Sequence, residues 1–268
     1  MSEKGIVWNQ MDFEKMARLE AVTASWKTVA VAYSGGVDST LLSWLCARVL
    51  GKSVHLYLVQ SPFLSARELT SAQAVAWKLH LPLKILPLDL LALKTVREND
   101  SNRCYHCKAA IMEAVFHARL HGAVVVDGSH VDDAQEDRPG RKALLEKGVA
   151  SPFALAEWTK KDIRRFARNA GLSNWNKPSQ SCLATRVPFG TSLQVDTLKR
   201  IEAAEDILYQ VGCVQVRVRW RGLEARIQVG RDDMNILREP KVYGHVSQHM
   251  RQLGFARVVL DSTPLSSD

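Results

Sequence analysis

Residues 29–45 read VAVAYSGGVDSTLLSWL, an apolar run that breaks into Ser34-Gly35-Gly36 and resumes after Asp38 at helical spacing. The flanking pattern makes residues 27–33 a buried strand and residues 38–50 a helix, with Leu41, Leu42, Leu45 and Val49 on its apolar side and Gly51 as its stop. Two glycines between a strand and a helix let successive backbone N–H groups point inward, and the helix adds its positive N-terminal end. Such a turn cradles an anion, phosphate above all. It is not a GxxxxGK[ST] loop, because no lysine stands where it would reach terminal phosphates. Asp38 is the unusual member, since a carboxylate beside phosphates repels them. It either caps the helix or holds a Mg2+ that bridges to the phosphates.

Working outward, residues 53–60 and 83–88 read as further strands, separated by a helix that Ser65 and Glu68 open as a capping box and that reaches about residue 80. A helix over residues 108–121 leads into a fourth strand ending at Asp127. Strands alternating with helices predict an α/β fold with a doubly wound parallel sheet. Beyond it, residues 127–148 read as a polar loop, Thr159 with Asp162 caps a short helix ending at Gly171, and residues 173–193 form a long segment without regular structure. Loops of that length inside a domain are usually functional. From residue 195 a helix, strands at 214–220 and 224–229, a helix near 240–253 and a strand at 255–260 predict a small α+β domain. The expected boundaries are 15–190 for the nucleotide-type domain and 191–262 for a substrate and oligomerisation domain.

The chain of 268 residues is 46% hydrophobic and 24% charged, a composition ordinary for a globular protein, and no apolar stretch approaches the ~20 residues that span a bilayer. The first twenty residues are charged throughout and lack the apolar core of an export signal, so a cytoplasmic location is expected. The net charge of +8 suits nucleotides, nucleic acid or other polyanions without choosing among them. Alternation in VRVRWR (216–221) sets Arg217, Arg219 and Arg221 on one face of a strand, which suits an anion.

Five cysteines in a reducing compartment ask for chemistry or metal rather than disulfides. Cys104 and Cys107 in NRCYHCK are half of a metal site, and Cys182 in PSQSCLATR can supply a third thiolate. Three thiolates on a 4Fe-4S cluster leave one iron open to sulfide or substrate. Zinc with His106 as a fourth ligand is the alternative, with strain in the turn. Lys177 and Arg186 flank Cys182, and cations favour the reactive thiolate. Cys46 and Cys213 sit in apolar contexts and read as core thiols.

SGGVDS in this setting resembles the PP-loop of the ATP pyrophosphatase superfamily, with its adenine nucleotide alpha-hydrolase-like fold. Together with NRCYHCK, DGSHVDDAQEDRPG, TKKDIRRFARNAGL, NWNKPSQSCLATRVPFG and QVRVRW, in that order over about residues 15–260, it resembles the LarE family of ATP-dependent sulfur transferases. The resemblance departs at the C-terminus, where STPLSSD follows VVLD. It implies ATP and Mg2+ on Ser34, Gly35, Gly36, Asp38 and Ser39, with adenine near Val59, and a 4Fe-4S cluster on Cys104, Cys107 and Cys182. It also implies adenylation of a carboxylate of pyridinium-3,5-biscarboxylic acid mononucleotide, on the route to the nickel-pincer cofactor, with Asp38 and Cys182 catalytic. Sulfur then comes from Cys182 itself or from the cluster. Arg217, Arg219, Arg186 and Lys177 would neutralise the small carboxylated mononucleotide. Asp127, Asp132, Asp133 and the turn Arg138-Pro139-Gly140 either shape the site or form a solvated acidic loop. A homo-oligomer with no membrane partner is expected. A PP-loop tRNA thiouridine synthase is the alternative, disfavoured because the chain carries no appended RNA-binding module or aromatic stacking platform.

Overall fold

The protein is described by a computed structural model over residue 8 and residues 10–134 and 139–265. It folds as two compact units interleaved along the chain, one from the spans 1–61, 66–88 and 104–177 and the other from 62–65, 89–103 and 178–268.

The first unit is the α/β layer. Its strands β1 (Val29–Ala32), β2 (Val54–Gln60), β3 (Leu83–Pro87) and β4 (Val124–Val126) form an all-parallel sheet in the order β3-β2-β1-β4. Helices alternate with them: α1 (Gln10–Thr23), α2 (Val37–Leu50) and α3 (Ala66–Lys78). The second unit then contributes the one-turn α4 (Lys94–Arg97), and α5 (Arg103–Ala118) precedes β4. The first unit continues with α6 (Pro139–Glu146), α7 (Pro152–Leu155) and α8 (Lys160–Asn169). Strand β1 lies inside the sheet, and Val29, Ala30 and Val31 are fully buried, which is why it reads as an unbroken apolar run. An isolated parallel bridge from Val126 to Ala150 continues the sheet edge beyond β4.

Sequence pattern and structure differ in four places. Val49 is 39% exposed, and α2 buries Val37, Leu41, Leu42, Leu45 and Cys46 instead, because its first turns are enclosed on most sides and only its end reaches solvent. Helix α5 begins five residues before the expected residue 108, so both cysteines of NRCYHCK lie on a helix. The stretch 127–148 contains a 3-10 turn at Val131–Ala134 and the helix α6, whose buried Ala143 and Leu144 make it amphipathic. The N-terminal helix α1 was not legible as an element. It is tied down by tertiary contacts, with Lys15 Nζ donating to the Glu157 carbonyl at 2.9 Å and Trp158 Nε1 donating to the Lys15 carbonyl at 3.2 Å.

The second unit carries the expected small α+β layer. Helix α9 (Val195–Gln210), strands β5 (Val216–Arg221) and β6 (Glu224–Val229), helices α10 (Met234–Arg238) and α11 (Pro240–Gln252), and strand β7 (Arg257–Leu260) enclose a core of Leu208, Val216, Val218, Ile227, Val246 and Met250. The sheet order is β5-β6-β7, antiparallel in the first pair and parallel in the second. The spans 62–65 and 89–103 join this unit through backbone bonds: Leu183 donates to the Phe63 carbonyl, Gly190 to Asn99 and Leu193 to Arg97, at 3.0, 2.9 and 2.8 Å. Among the described residues no helix is long and apolar enough to cross a membrane.

Candidate active site

The loop after β1 closes on itself. Ser39 Oγ accepts from the Ser34 N–H at 3.2 Å, lies 3.1 Å from Ser34 Oγ and donates to the Gly36 carbonyl at 3.3 Å. Gly35 has φ +72°, and a Cβ there would fall 2.4 Å from the Ala72 Cβ of α3, so the turn accepts no side chain. Asn174 is 6% exposed and locks the same turn, donating from Nδ2 to the Gly35 carbonyl at 3.1 Å and to Thr40 Oγ1 at 3.0 Å. Because the peptide is planar and trans, fixing that carbonyl also fixes the direction of the Gly36 N–H on its other side. Behind the loop, Tyr33 donates to the Ala72 carbonyl at 3.2 Å, and burial, partly offset by a hydrogen bond with Thr40, pushes its hydroxyl up to about 12.

Asp38 does not cap α2. The N-cap is Gly36, with no side-chain cap, and the Asp38 carboxylate turns to Lys160 Nζ, 2.6 and 2.7 Å from its two oxygens. A lysine therefore does stand at this loop, delivered from 122 residues downstream. Lys160 is the first residue of α8. Thr159 caps that helix with Asp162 in a reciprocal capping box, and the Lys160 N–H donates to Asp132 Oδ2 at 2.6 Å. The approach is anchored by buried aromatics, Trp158 packing at a tilt against Phe153 and Phe166 with ring centroids 5.0 and 4.4 Å apart. On the other side, Gly128 comes so close that a Cβ would lie 3.0 Å from both the Asp38 Cβ and the Ser39 nitrogen. Asp127, 6% exposed, accepts from Ser129 Oγ at 2.6 Å and Ser151 Oγ at 2.7 Å, which stiffens the strand exit. Asp133 accepts from the His130 N–H at 3.0 Å, and Arg138 lies outside the described residues.

The start of α2, two serine hydroxyls and one carboxylate form a set of groups that fits a nucleotide phosphate with a hard divalent cation. Val59 lies near the carboxyl end of β2, next to the strand that feeds the loop. Lys177 also belongs to this unit, where its Nζ contacts Glu68 Oε2 at 2.7 Å and Ser71 Oγ at 3.4 Å. Cys104 is exposed and Cys107 half-buried on the first turn of α5. A cavity of about 240 Å³ opens beside Cys104, lined also by Lys108, Ser129, Asp133, Gly140 and Arg141.

In the second unit Cys182 is exposed, and the turn that follows it is held by Arg186. Arg186 is 2% exposed. It pairs with Glu205 at 2.7 Å, and its Nη1 donates to the Ser181 carbonyl at 3.1 Å and the Thr185 hydroxyl at 3.0 Å. Glu205 in turn accepts from the Val218 N–H of β5 at 2.9 Å. Arg219 donates to Gln228 Oε1 at 2.6 Å and to the Thr185 carbonyl at 3.1 Å. Its pKa is lowered by burial first, then by neighbouring Arg186 and Arg221, as expected where guanidinium groups crowd. Arg217 sits half-buried on the same face of β5. The two remaining cysteines are core thiols as the sequence indicates: burial pushes Cys46 up to about 12, and burial with Asp233 pushes Cys213 up to about 11. Among the described residues no group of three or more His, Cys, Asp or Glu is placed to hold a metal ion. Lys160 and Asn174 are the residues that sequence reasoning missed. Lys160 lies in TKKDIRRFARNAGL and Asn174 opens NWNKPSQSCLATRVPFG, but neither stretch says which of its side chains turns to the loop.

A four-stranded parallel sheet whose central strand feeds a glycine turn with an acid two residues on defines a PP-loop protein, and residues 12–131 match the NAD synthase family model. Within that class the chain belongs to the LarE family of sulfur transferases. It is 32% identical over 258 residues to the pyridinium-3,5-bisthiocarboxylic acid mononucleotide synthase of Lactiplantibacillus plantarum, covering 92% of this chain and 90% of that one. Uncharacterized proteins of Synechocystis and Methanocaldococcus jannaschii are each 33% identical, over 92% and 88% of this chain and 93% and 89% of their own lengths.

Proposed function

We propose that this chain is an ATP-dependent sulfur transferase that converts a carboxylate of pyridinium-3,5-biscarboxylic acid mononucleotide to a thiocarboxylate. The observation that carries the reading is the closed Ser34–Ser39 turn with Asp38 beside it, in a chain related along its length to an enzyme named for a bisthiocarboxylic acid product. The substrate carboxylate attacks the α-phosphorus of ATP, pyrophosphate leaves, and an acyl adenylate forms. A sulfur nucleophile then attacks the acyl carbon and expels AMP. Ser34, Gly36 and the first turn of α2 bind the departing phosphates, and Asp38 would hold a Mg2+ that screens their charge.

Two sulfur sources fit the three cysteines. In one, the Cys182 thiolate forms a thioester with the acyl carbon. Loss of the Cys182 Hα to a base and cleavage of its Cβ–S bond then release the thiocarboxylate and leave dehydroalanine. In the other, Cys104, Cys107 and Cys182 would hold a 4Fe-4S cluster that supplies the sulfur. Arg217 and Arg219 bind the phosphate and carboxylates of the substrate, while Arg186 positions the Cys182 turn. Anaerobic reconstitution with assay for AMP, pyrophosphate and product mass tests the reading. Pyrophosphate release dependent on the biscarboxylic mononucleotide is expected, with about four irons per chain on the cluster route. A chain mass lower by ~34 Da, the hydrogen sulfide lost from one thiol, marks the sacrificial route instead. ADP and orthophosphate as products, or dependence on tRNA, would overturn it.

A further inference from the structure

The carboxylate that the nucleotide site offers to a metal ion already holds a cation. Lys160 Nζ contacts both oxygens of Asp38, at 2.6 and 2.7 Å, so the ammonium engages the two faces a divalent ion would use. The two side chains are 23% and 30% exposed, and such a pair can open without stranding either charge in a dry interior. The backbone of Lys160 is fixed separately by the Asp132 carboxylate and the Thr159 cap, which leaves the four-carbon stem as the part that moves. Asp38 itself is fixed between the closed serine turn and Gly128.

We propose that Lys160 is a placeholder for the divalent cation: its ammonium holds the Asp38 carboxylate in the nucleotide-free protein, so that metal is admitted only together with ATP. This rests on the reading of residues 34–39 as the ATP site. Mg2+ sheds water reluctantly and demands near-ideal octahedral ligation, so it competes poorly for a carboxylate whose oxygens are both engaged. The polyphosphate of ATP removes that competition by offering the ammonium a more highly charged partner a few bonds away. Asp38 then passes to the metal and Lys160 to the phosphates, with no charge left unpaired. Metal and nucleotide thereby enter as one unit, and free cations are kept from Asp38.

Mn2+ alone, titrated into the full-length nucleotide-free protein and followed by the resonance of the free ion, tests this directly. Wild type and Lys160→Arg, which keeps the positive charge, should bind Mn2+ weakly. Lys160→Gln and Lys160→Ala should bind it at least tenfold more tightly at one site, and that site should vanish again when Asp38→Asn is added. In the same variants, calorimetry should show affinity for metal-free ATP reduced at least tenfold, with circular dichroism unchanged. Equal Mn2+ affinity in wild type and both neutral variants overturns the placeholder. Tighter Mn2+ binding in protein that binds no ATP in any form supports the ion exchange and overturns the nucleotide reading on which its purpose rests.

Discussion

Gly35 shows how much one residue can decide. Its left-handed φ costs an L-residue about 1–2 kcal/mol before contacts are counted, and the Cβ would lie inside the Ala72 side chain. Gly35→Ala should therefore lower the unfolding midpoint and abolish binding of ATP or an analogue, measured by thermal denaturation and calorimetry on the same sample. Arg186 presents the opposite case, a charge kept by its partners. With Arg186 and Glu205 side chains 2% and 8% exposed, Glu205→Ala leaves a guanidinium buried without its carboxylate and the Val218 N–H without its acceptor. A loss of about 3–5 kcal/mol in urea unfolding is expected, as for other broken buried pairs. Arg186→Met should cost a comparable amount, because it leaves the Glu205 carboxylate buried without its guanidinium in turn. At this scale the sequence made Asp38 legible, since a carboxylate in a phosphate turn is anomalous on local grounds. Lys160 and Asn174 lie in two of the quoted stretches, yet their roles were illegible, because nothing local tells a lysine after a cap or an asparagine in a loop that its partner lies 122 or 139 residues away.

Among the elements, α8 does much in ten residues. Its capping box was readable from Thr159 and Asp162 three residues apart, and the structure keeps both bonds. Burial alone would raise the Asp162 carboxyl, but hydrogen bonds from Lys15 and Thr159 outweigh it and hold the group below its ordinary value. The unfolded chain then binds the proton more tightly, so this contribution to stability is full above about pH 4 and fades as pH falls through the folded value. Thr159→Ala should cost about 1 kcal/mol at neutral pH. Its deficit should shrink below about pH 4, where wild type loses part of the same interaction. A deficit constant from neutral pH down to pH 3, in urea titrations, would show that the cap acts without Asp162. Helix α5 teaches a different lesson. Its start at Arg103 was misplaced because Cys, Tyr and His are indifferent helix formers, and the segment becomes helical through the burial of Met112 and Val115 further along.

At the level of the whole molecule, the parallel sheet and the small α+β layer were legible because each rests on local periodicity. The interleaving was not. The amides of Leu183, Gly190 and Leu193 find their acceptors on Phe63, Asn99 and Arg97, and no spacing rule announces partners so distant. Asn99 adds side-chain bonds to the Pro188 and Thr191 carbonyls at 2.8 and 3.0 Å. A fragment of residues 178–268 should therefore keep protected amides in β5 and β6 but exchange freely at Leu183, Gly190 and Leu193, read residue by residue by NMR hydrogen exchange. Protection at those three positions in the fragment would mean that the segment is ordered by its own sequence. The braces of the phosphate turn carry the same distance dependence into time. Lys160 follows its partner Asp38 by 122 residues and Asn174 follows Gly35 by 139, so a ribosome adding ~5–20 residues per second completes the turn's last brace roughly 7–28 s after making the turn. During that interval the nascent chain can close the Ser34–Ser39 turn but lacks the two distant side chains that brace it, and nucleotide can meet the braced turn only once about two-thirds of the chain is made.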